Sequence, residues 1–169
     1  IKKLRSELNI PLLKCTEAIK QCGLDFDKVL EFLRKTGEIN ASKKAERETK
    51  SGLICSGNNE NYIITVKALC ETDFVSTNTL FLDLCKDFID YALKNPHLNS
   101  VENILSNCKS LKNKLNETIL KTGENINFIE LQIFNLQESM VGFYMHNIVY
   151  KNNNIVFGRI FTHIQTDIL

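Results

Sequence analysis

The stretch ALCETDFVSTNTLF, residues 68–81, joins a strand pattern to a helix pattern. Before the junction, YIITVKAL (residues 62–69) is rich in β-branched residues, which predicts a strand. An acid and a large aromatic, Asp73 and Phe74, lie at the junction itself. Either Asp73 caps the next helix and Phe74 enters the core, or the pair lies on the surface and contacts a partner. The apolar face of the predicted helix consists of Phe81, Leu84, Cys85, Phe88 and Ala92.

The segment before this strand predicts its hairpin partner. LICS, residues 53–56, is separated from residues 62–69 by the turn cluster GNNEN. Two strand patterns around a short polar turn are typical of an antiparallel hairpin.

The segments after this region continue an α+β pattern. Helical periodicity runs through residues 101–121 and ends at Gly123, and strand character returns in residues 124–137. VGFYMHNIVY and IVFGRIFTHI flank three asparagines, residues 152–154, and predict a second hairpin. We therefore expect an antiparallel sheet with helices packed on it.

The first third of the chain predicts three short helices. The first is KKLRSEL, residues 2–8. Asn9 is a suitable cap for the second, Pro11 fits its first turn, and Gly23 ends it. The apolar face of this second helix consists of Leu12, Cys15, Ala18, Ile19 and Cys22.

A third helix and a charged connection follow. Asp25 caps this helix and Gly37 is expected to end it. ASKKAERETKSG, residues 41–52, has almost no large apolar residue and predicts a solvated linker between two units. Its lysines are interpreted as a hydrated surface, because no aromatic residues are interleaved for stacking on nucleic acid bases.

Composition excludes several classes of protein. The chain has 169 residues, 43% of them hydrophobic, and a formal net charge of +1. This balance gives no overall field that favours nucleic acid or a membrane surface. No apolar run approaches the ~20 residues of a membrane span. The opening residues IKKLRSEL predict a helix, and we expect no targeting segment within the chain.

The six cysteines predict buried, reduced thiols. None forms a CxxC pair, and no histidine lies at zinc-finger spacing from two of them. Most lie at apolar-periodic positions, where cysteine acts as a small hydrophobic residue. Reduced thiols indicate a cytosol-like compartment or an organelle matrix.

An enzyme is the weaker interpretation. Cys70, His146 and Asp73 could form a nucleophile, base and orienting acid, but Cys70 follows a strand that we expect to be buried, and buried thiols are unreactive. The chain has no glycine-rich nucleotide motif, and its histidines are scattered. We predict no catalytic residue, no metal site and no cofactor.

Several motifs in order resemble those of the elongation factor Ts family, whose members exchange guanine nucleotides on the translation GTPase EF-Tu. TDFV, residues 72–75, resembles the signature between strand and helix in that family. GENIN, residues 123–127, is similar to a second family motif. KLRSELNIPLLKCTEAI and SKKAERETKSGLI resemble the N-terminal helices and the linker, and FYMH and GRI resemble the start of a second core subdomain.

The sequence departs from the family pattern at several places. A glycine-rich turn is replaced by residues 9–11, and paired methionines by Leu12 and Leu13. A basic pair is replaced by Ile129 and Glu130, and residues 152–154 are an insertion.

The resemblance implies an α+β protein with four segments. Residues 1–38 form a ubiquitin-associated-like three-helix domain, and residues 39–52 a charged linker. Residues 53–140 form the N-terminal core subdomain, similar to the family's dimerisation domain. Residues 141–169 begin the C-terminal core subdomain, which is expected to be incomplete.

The resemblance also implies a partner and its contacts. The N-terminal domain docks on EF-Tu at the positions of Leu12 and Leu13, although Leu12 also fits the inward face of its helix. The TDFV loop wedges against the GTPase, with Phe74 in an apolar cleft and Asp73 near the magnesium ion. The implied contacts with EF-Tu are Leu12, Leu13, Thr72, Asp73, Phe74, Val75 and His146.

The implied protein is a non-enzymatic elongation factor that acts in protein biosynthesis without direct nucleic acid or membrane binding. Its divergent motifs and abundant Asn, Lys and Ile favour a mitochondrion or plastid, with a bacterial cytoplasm as the alternative. The alternative function is a ubiquitin-associated-type module that recruits ubiquitin or a partner helix. That module does not require Asp73 and Phe74 at a strand–helix junction.

Overall fold

The computed structural model describes residues 12–167. The predicted first helix and the predicted roles of Asn9 and Pro11 lie outside these residues. Helices α1 (Leu12–Cys22) and α2 (Phe26–Lys44) form the first pair of elements. Gly23 between them has φ +73°, and Lys28 N donates to the Asp25 side chain at 3.2 Å, so the predicted stop and cap are both confirmed.

The predicted end of the third helix at Gly37 is wrong, because α2 continues to Lys44. Gly37 is buried and faces a later helix, where an added Cβ would lie 3.7 Å from the carbonyl oxygen of Asn116. The glycine therefore lies inside the helix against a later helix and not in a left-handed cap, and a Cβ would fit there at an ordinary contact distance. Lys43 and Lys44 occupy the last turn, where they complement the helix dipole.

The extended helix also shortens the connection that was predicted as residues 39–52. Strand β1 (Ser51–Asn58) begins inside that range, so only residues 45–50 lie between α2 and β1. The charged residues of the predicted linker therefore lie at the end of α2 and in the short connection, and the predicted linker ends inside β1.

The predicted first hairpin is confirmed. Strand β2 (Tyr62–Cys70) pairs antiparallel with β1, with Ser51 opposite Cys70 and Asn58 opposite Ile63. Helices α3 (Asp73–Ser76) and α4 (Thr79–Lys94) follow directly. The predicted apolar face of α4 is buried in the core against both strands.

The predicted helix over residues 101–121 is divided in two. Helix α5 (Val101–Asn107) ends at Cys108, and α6 (Lys109–Thr122) ends at Gly123, the predicted stop, which has φ +80°. Ser106 Oγ and Asn107 Nδ2 both donate to the carbonyl of Asn103, at 3.1 and 2.8 Å. Such side-chain bonds compete with the helical backbone bonds and favour the break.

The remaining elements complete two sheets. Strand β3 (Ile126–Asn135) is followed by β4 (Ser139–His146), β5 (Tyr150–Lys151), β6 (Ile155–Gly158) and β7 (Ile160–Asp167). The larger sheet has the order β3-β2-β1-β6-β5, and β4 pairs with β7 in a second sheet. All pairings are antiparallel, which confirms the α+β prediction.

The predicted second hairpin is confirmed with an added feature. Its two arms pair as β5 with β6 and as β4 with β7, so the hairpin spans both sheets. Strand β6 lies next to β1 in the larger sheet, which therefore crosses the predicted boundary at residue 140. The division into core subdomains stays a prediction.

The N-terminal helices pack on α6. Leu120 belongs to the buried cluster of Cys15, Ala18, Val29 and Leu33. Lys14 Nζ donates to the carbonyl of Leu120 at 3.3 Å, and Lys44 Nζ donates to that of Ile119 at 3.4 Å. The cations satisfy carbonyls at the negative end of α6. Desolvation by burial lowers the pKa of both lysines.

Candidate functional site

The TDFV segment forms one turn of helix that presents Phe74 to solvent. Phe74 is 83% exposed, whereas Val75 is buried in the core. The interpretation of Phe74 as a core residue is therefore wrong. Asp73 is also exposed and is the first residue of α3, so it is not the cap. The acid and the aromatic of the junction both face outward.

Thr72 is the residue that caps this turn. It has extended backbone angles, and its Oγ1 accepts from the backbone N–H of Val75 at 3.4 Å. At the other end, Ser76 Oγ donates to the carbonyl of Asp73 at 2.7 Å. Asn78 then caps α4, because its side chain accepts from Leu80 N at 2.9 Å. The turn is thus capped at its start and joined directly to a long core helix.

Glu124 holds the start of the turn from another part of the chain. Its Oε2 accepts from the backbone N–H groups of Glu71 and Thr72, at 3.1 and 3.0 Å. Its Oε1 accepts from Thr72 Oγ1 at 2.6 Å. One half-buried carboxylate therefore satisfies two backbone donors and the hydroxyl of the cap.

Glu71 makes the reciprocal contact. Its Oε1 accepts from the backbone N–H of Asn125 at 2.6 Å and from Arg47 Nη1 at 3.5 Å. The buried Asn125 donates through Nδ2 to the carbonyl of Arg47 at 2.8 Å. The turn, the end of α6 and the connection between α2 and β1 are thereby joined by one polar network.

Sequence reasoning did not predict Glu71, Arg47, Glu124 or Asn125 as site residues. Glu124 and Asn125 lie in GENIN, which was noted only as a family resemblance. The signal was a polar Gly-Glu-Asn run directly after a helix and before a buried strand. Its reach to the TDFV segment depends on tertiary structure, because the bonded residues are 52 to 54 positions apart.

His146 lies at the same end of the larger sheet as the TDFV segment. On the central strand β1, Ser51 pairs with Cys70, which lies just before the TDFV segment. Three positions along the same strand, Ile54 pairs with Gly158. Arg159, next to Gly158, donates its backbone N–H to the carbonyl of His146 at 3.0 Å.

The His146 side chain is exposed on β4. Its Nδ1 lies 3.0 Å from the hydroxyl of Tyr144, which orients the imidazole ring.

Leu12 and Leu13 lie at the start of α1, away from any contact with the turn that the structure shows. Leu12 is 51% exposed and Leu13 is 77% exposed. The prediction that Leu12 faces the core is therefore wrong. The buried face of α1 is formed by Cys15 and Ala18. The structure does not bring these leucines together with the TDFV segment.

The thiol at the junction is unsuited to nucleophilic chemistry. Cys70 is fully buried, its Sγ donates to the carbonyl of Thr72 at 3.1 Å, and burial raises the pKa of the thiol to about 12. A thiol with so high a pKa is almost wholly protonated at neutral pH.

Within residues 12–167, no group of three or more His, Cys, Asp or Glu side chains is placed to hold a metal ion. No helix in the same part of the chain is long and apolar enough to cross a membrane.

Comparison with known proteins gives a consistent family. The family model described as elongation factor TS matches residues 71–165. Elongation factor Ts of Baumannia cicadellinicola is 34% identical over 162 residues, which cover 92% of this chain and 55% of that protein. The protein of the same name from Lawsonia intracellularis is 34% identical over 155 residues, covering 86% and 53%.

A third relative, elongation factor Ts of Rickettsia peacockii, is 30% identical over 153 residues, 90% of this chain and 50% of that protein. The chain thus spans about half the length of the relatives it matches. These relatives are bacterial and give no support to a mitochondrial or plastid location, which stays a prediction. Because the family model covers more than half of its residues, the chain belongs to the elongation factor Ts family.

Proposed function

We propose that this chain binds the translation GTPase EF-Tu and promotes release of its GDP as an elongation factor in protein synthesis. The observation that carries the proposal is the exposure of Phe74, a large apolar side chain that is 83% accessible on a capped and anchored turn. Exposed aromatics of this kind are typical anchors of protein interfaces.

The energetic contribution of Phe74 comes from its burial in the partner. Full burial of a Phe side chain contributes about 2 to 3 kcal/mol to association. The turn is already ordered by the contacts of Thr72 and Glu124, so little conformational entropy is lost when Phe74 enters a cleft.

Asp73 supplies the second effect. Its carboxylate is exposed next to Phe74 and has the position at which the family resemblance implies proximity to the magnesium ion. A negative charge brought close to a Mg²⁺–phosphate site competes with the ligands of the ion. Phe74 thus opens the apolar cleft, while Asp73 weakens the binding of the Mg²⁺ ion that holds the nucleotide.

The proposed mechanism involves no covalent chemistry and no nucleotide or metal bound by the chain itself. The factor binds nucleotide-free EF-Tu more tightly than the GDP form. By linkage, the factor must weaken the binding of GDP to EF-Tu as much as GDP weakens the binding of the factor to EF-Tu. GTP then captures the emptied protein.

Leu12, Leu13 and His146 are proposed as further contacts that hold the factor in place. The two leucines are exposed at the start of α1, and His146 lies at the same sheet end as the turn. Several separate contacts allow docking to persist while Phe74 and Asp73 act on the nucleotide site.

The test measures release of fluorescent GDP from the EF-Tu of the same organism, with and without this chain. We expect a large acceleration that Phe74→Ala abolishes. Met140→Ala is the matched control, because Met140 is also an exposed apolar side chain, 66% accessible on β4. Its substitution should leave the rate unchanged.

Binding is measured on the same samples. Binding without acceleration would mean that the chain docks but cannot open the site. If there is no binding at all, the exchange function is wrong for this chain. Titration with ubiquitin then tests the alternative module that residues 1–38 predict.

A further inference from the structure

We propose that Glu124 and Glu71 are positioning residues that hold Phe74 and Asp73 in the orientation needed for exchange. This inference rests on the proposed function. The two carboxylates and the groups that they bind, the N–H groups of Glu71, Thr72 and Asn125 and the hydroxyl of Thr72, are called the carboxylate clamp below. The clamp joins the start of α3 to the end of α6 by contacts in both directions.

Phe74 has little packing of its own to fix its position. Its side chain is 83% exposed, and α3 is only four residues long. A single isolated helical turn is unstable, because its nucleation fixes several residues for one hydrogen bond. The orientation of Phe74 therefore depends on what holds the turn at its ends.

The strongest holding contacts are those of Glu124. Hydrogen bonds to an ionised carboxylate are stronger than those between neutral groups. Glu124 makes three of them, two to backbone N–H groups and one of 2.6 Å to the hydroxyl of Thr72. The same hydroxyl accepts from Val75 N, so the carboxylate also orients the cap of the turn.

Glu71 closes the clamp from the opposite side. Its bond of 2.6 Å to the backbone N–H of Asn125 fixes the residue next to Glu124, so neither segment can shift without breaking contacts in both directions. Val75 and Ser76, the last two residues of the turn, are buried and attach its second half to the core, so the clamp fixes the first half. Loosening of the clamp would leave the Phe74 side chain intact and enlarge the range of its orientations.

A positioning role predicts a particular kinetic result. Docking through other surfaces would persist, whereas the fraction of bound complexes with Phe74 and Asp73 correctly placed would fall. We expect Glu124→Ala to lower the maximal rate of GDP release at saturating factor by about tenfold, the scale of lost hydrogen bonds to a charged group. The concentration of factor that gives half of the maximal rate should change much less.

The matched control is Glu117→Gln. Glu117 is also on α6, and it forms a 3.8 Å ion pair with Lys121, one helical turn away. This substitution should change neither kinetic value. Glu124→Gln keeps one carbonyl acceptor and should give an intermediate rate, as expected for partial rescue.

Amide hydrogen exchange of the free chain gives a readout that is independent of EF-Tu. In Glu124→Ala, the amides of Glu71 and Thr72 should lose protection, while those of the α4 core keep theirs. Loss of protection throughout the core would indicate that Glu124→Ala unfolds. The same two measurements on Glu124→Gln, the rate of GDP release and the amide protection, then decide.

Two results would overturn the proposal: unchanged protection at Glu71 and Thr72, or an unchanged maximal rate in a folded Glu124→Ala variant. If the wild-type chain does not accelerate GDP release at all, the proposed function fails. The clamp is then judged by amide exchange alone.

Discussion

The ring of Phe88 on α4 stacks on the ring of Phe128 on β3, with centroids 4.3 Å apart and planes inclined by 16°. Both side chains are buried, and together they attach the long helix to the sheet. Because α4 follows directly on the turn that carries Phe74, this stacked pair helps to fix the helix to which the turn is joined.

Phe88 in the core and Phe74 on the surface should differ sharply in their contribution to stability. Phe88→Ala creates a cavity in the core and should lower the free energy of unfolding by about 3 to 5 kcal/mol. Phe74→Ala removes an exposed ring and should change it by less than about 0.5 kcal/mol. Urea denaturation measures both. A large loss of stability in Phe74→Ala would show that the ring packs on its own chain.

Two glycines should respond oppositely to alanine. Gly37 lies inside α2, and a Cβ there would meet Asn116 at an ordinary contact distance of 3.7 Å. Gly37→Ala should therefore raise the free energy of unfolding by about 0.5 to 1 kcal/mol through helix propensity. Gly123 has φ +80°, so Gly123→Ala should lower it by about 1 kcal/mol.

Thermal unfolding compares the two variants. Equal destabilisation by both would mean that the contact of Gly37 with α6 is tighter than the distance suggests. Destabilisation by Gly123→Ala should also loosen the clamp, because Glu124 follows directly.

Thiol reactivity should follow burial and pKa. With its pKa raised to about 12 by burial, Cys70 is deprotonated at pH 8 in only about one molecule in 10⁴. Cys22 and Cys108 are partly exposed and should react first with a soluble alkylating reagent. Because the shift is upward, the reaction of Cys70 should increase with pH throughout the range from 7 to 10. Preferential labelling of Cys70 at pH 7 would revive the enzyme interpretation.

Asp73→Asn separates the charge effect from shape. The amide keeps the size of the side chain and removes its charge, so we expect a fall of about tenfold in GDP release when Mg²⁺ is present. With Mg²⁺ removed by a chelator, the variant and the wild type should give similar rates. Phe74→Ala should remain slow under both conditions. A defect of Asp73→Asn that persists without Mg²⁺ would argue against action through the ion.

Local patterns in the sequence predicted most elements of this fold. The strand at residues 62–69, the apolar face of α4 and the helix stop at Gly123 were each predicted from neighbouring residues, and each is confirmed. The end of α2 was predicted wrongly because a glycine does not always end a helix. Gly37 lies inside α2 and packs against α6, and only tertiary contacts distinguish this location from a cap.

The candidate site was only partly predictable for the same reason. The unusual pairing of Asp73 and Phe74 is visible in the sequence, and the exposure of both agrees with the surface interpretation. Glu124 lies 52 residues from Thr72, and its carboxylate has no local signal that identifies its acceptor role. The bond depends on how α6 and β2 end beside each other in the folded chain.

The position of β1 in the larger sheet has a consequence for synthesis of the protein. Its residue Ile54 pairs on one side with Lys67, which is made almost at once, and on the other with Gly158, which is made 104 residues later (158 − 54). At ribosomal speeds of about 5 to 20 residues per second, that edge stays unpaired for about 5 to 20 s. An open apolar strand edge is a site of aggregation. The nascent chain therefore exposes this edge to aggregation during the interval, and synthesis of β6 ends the exposure.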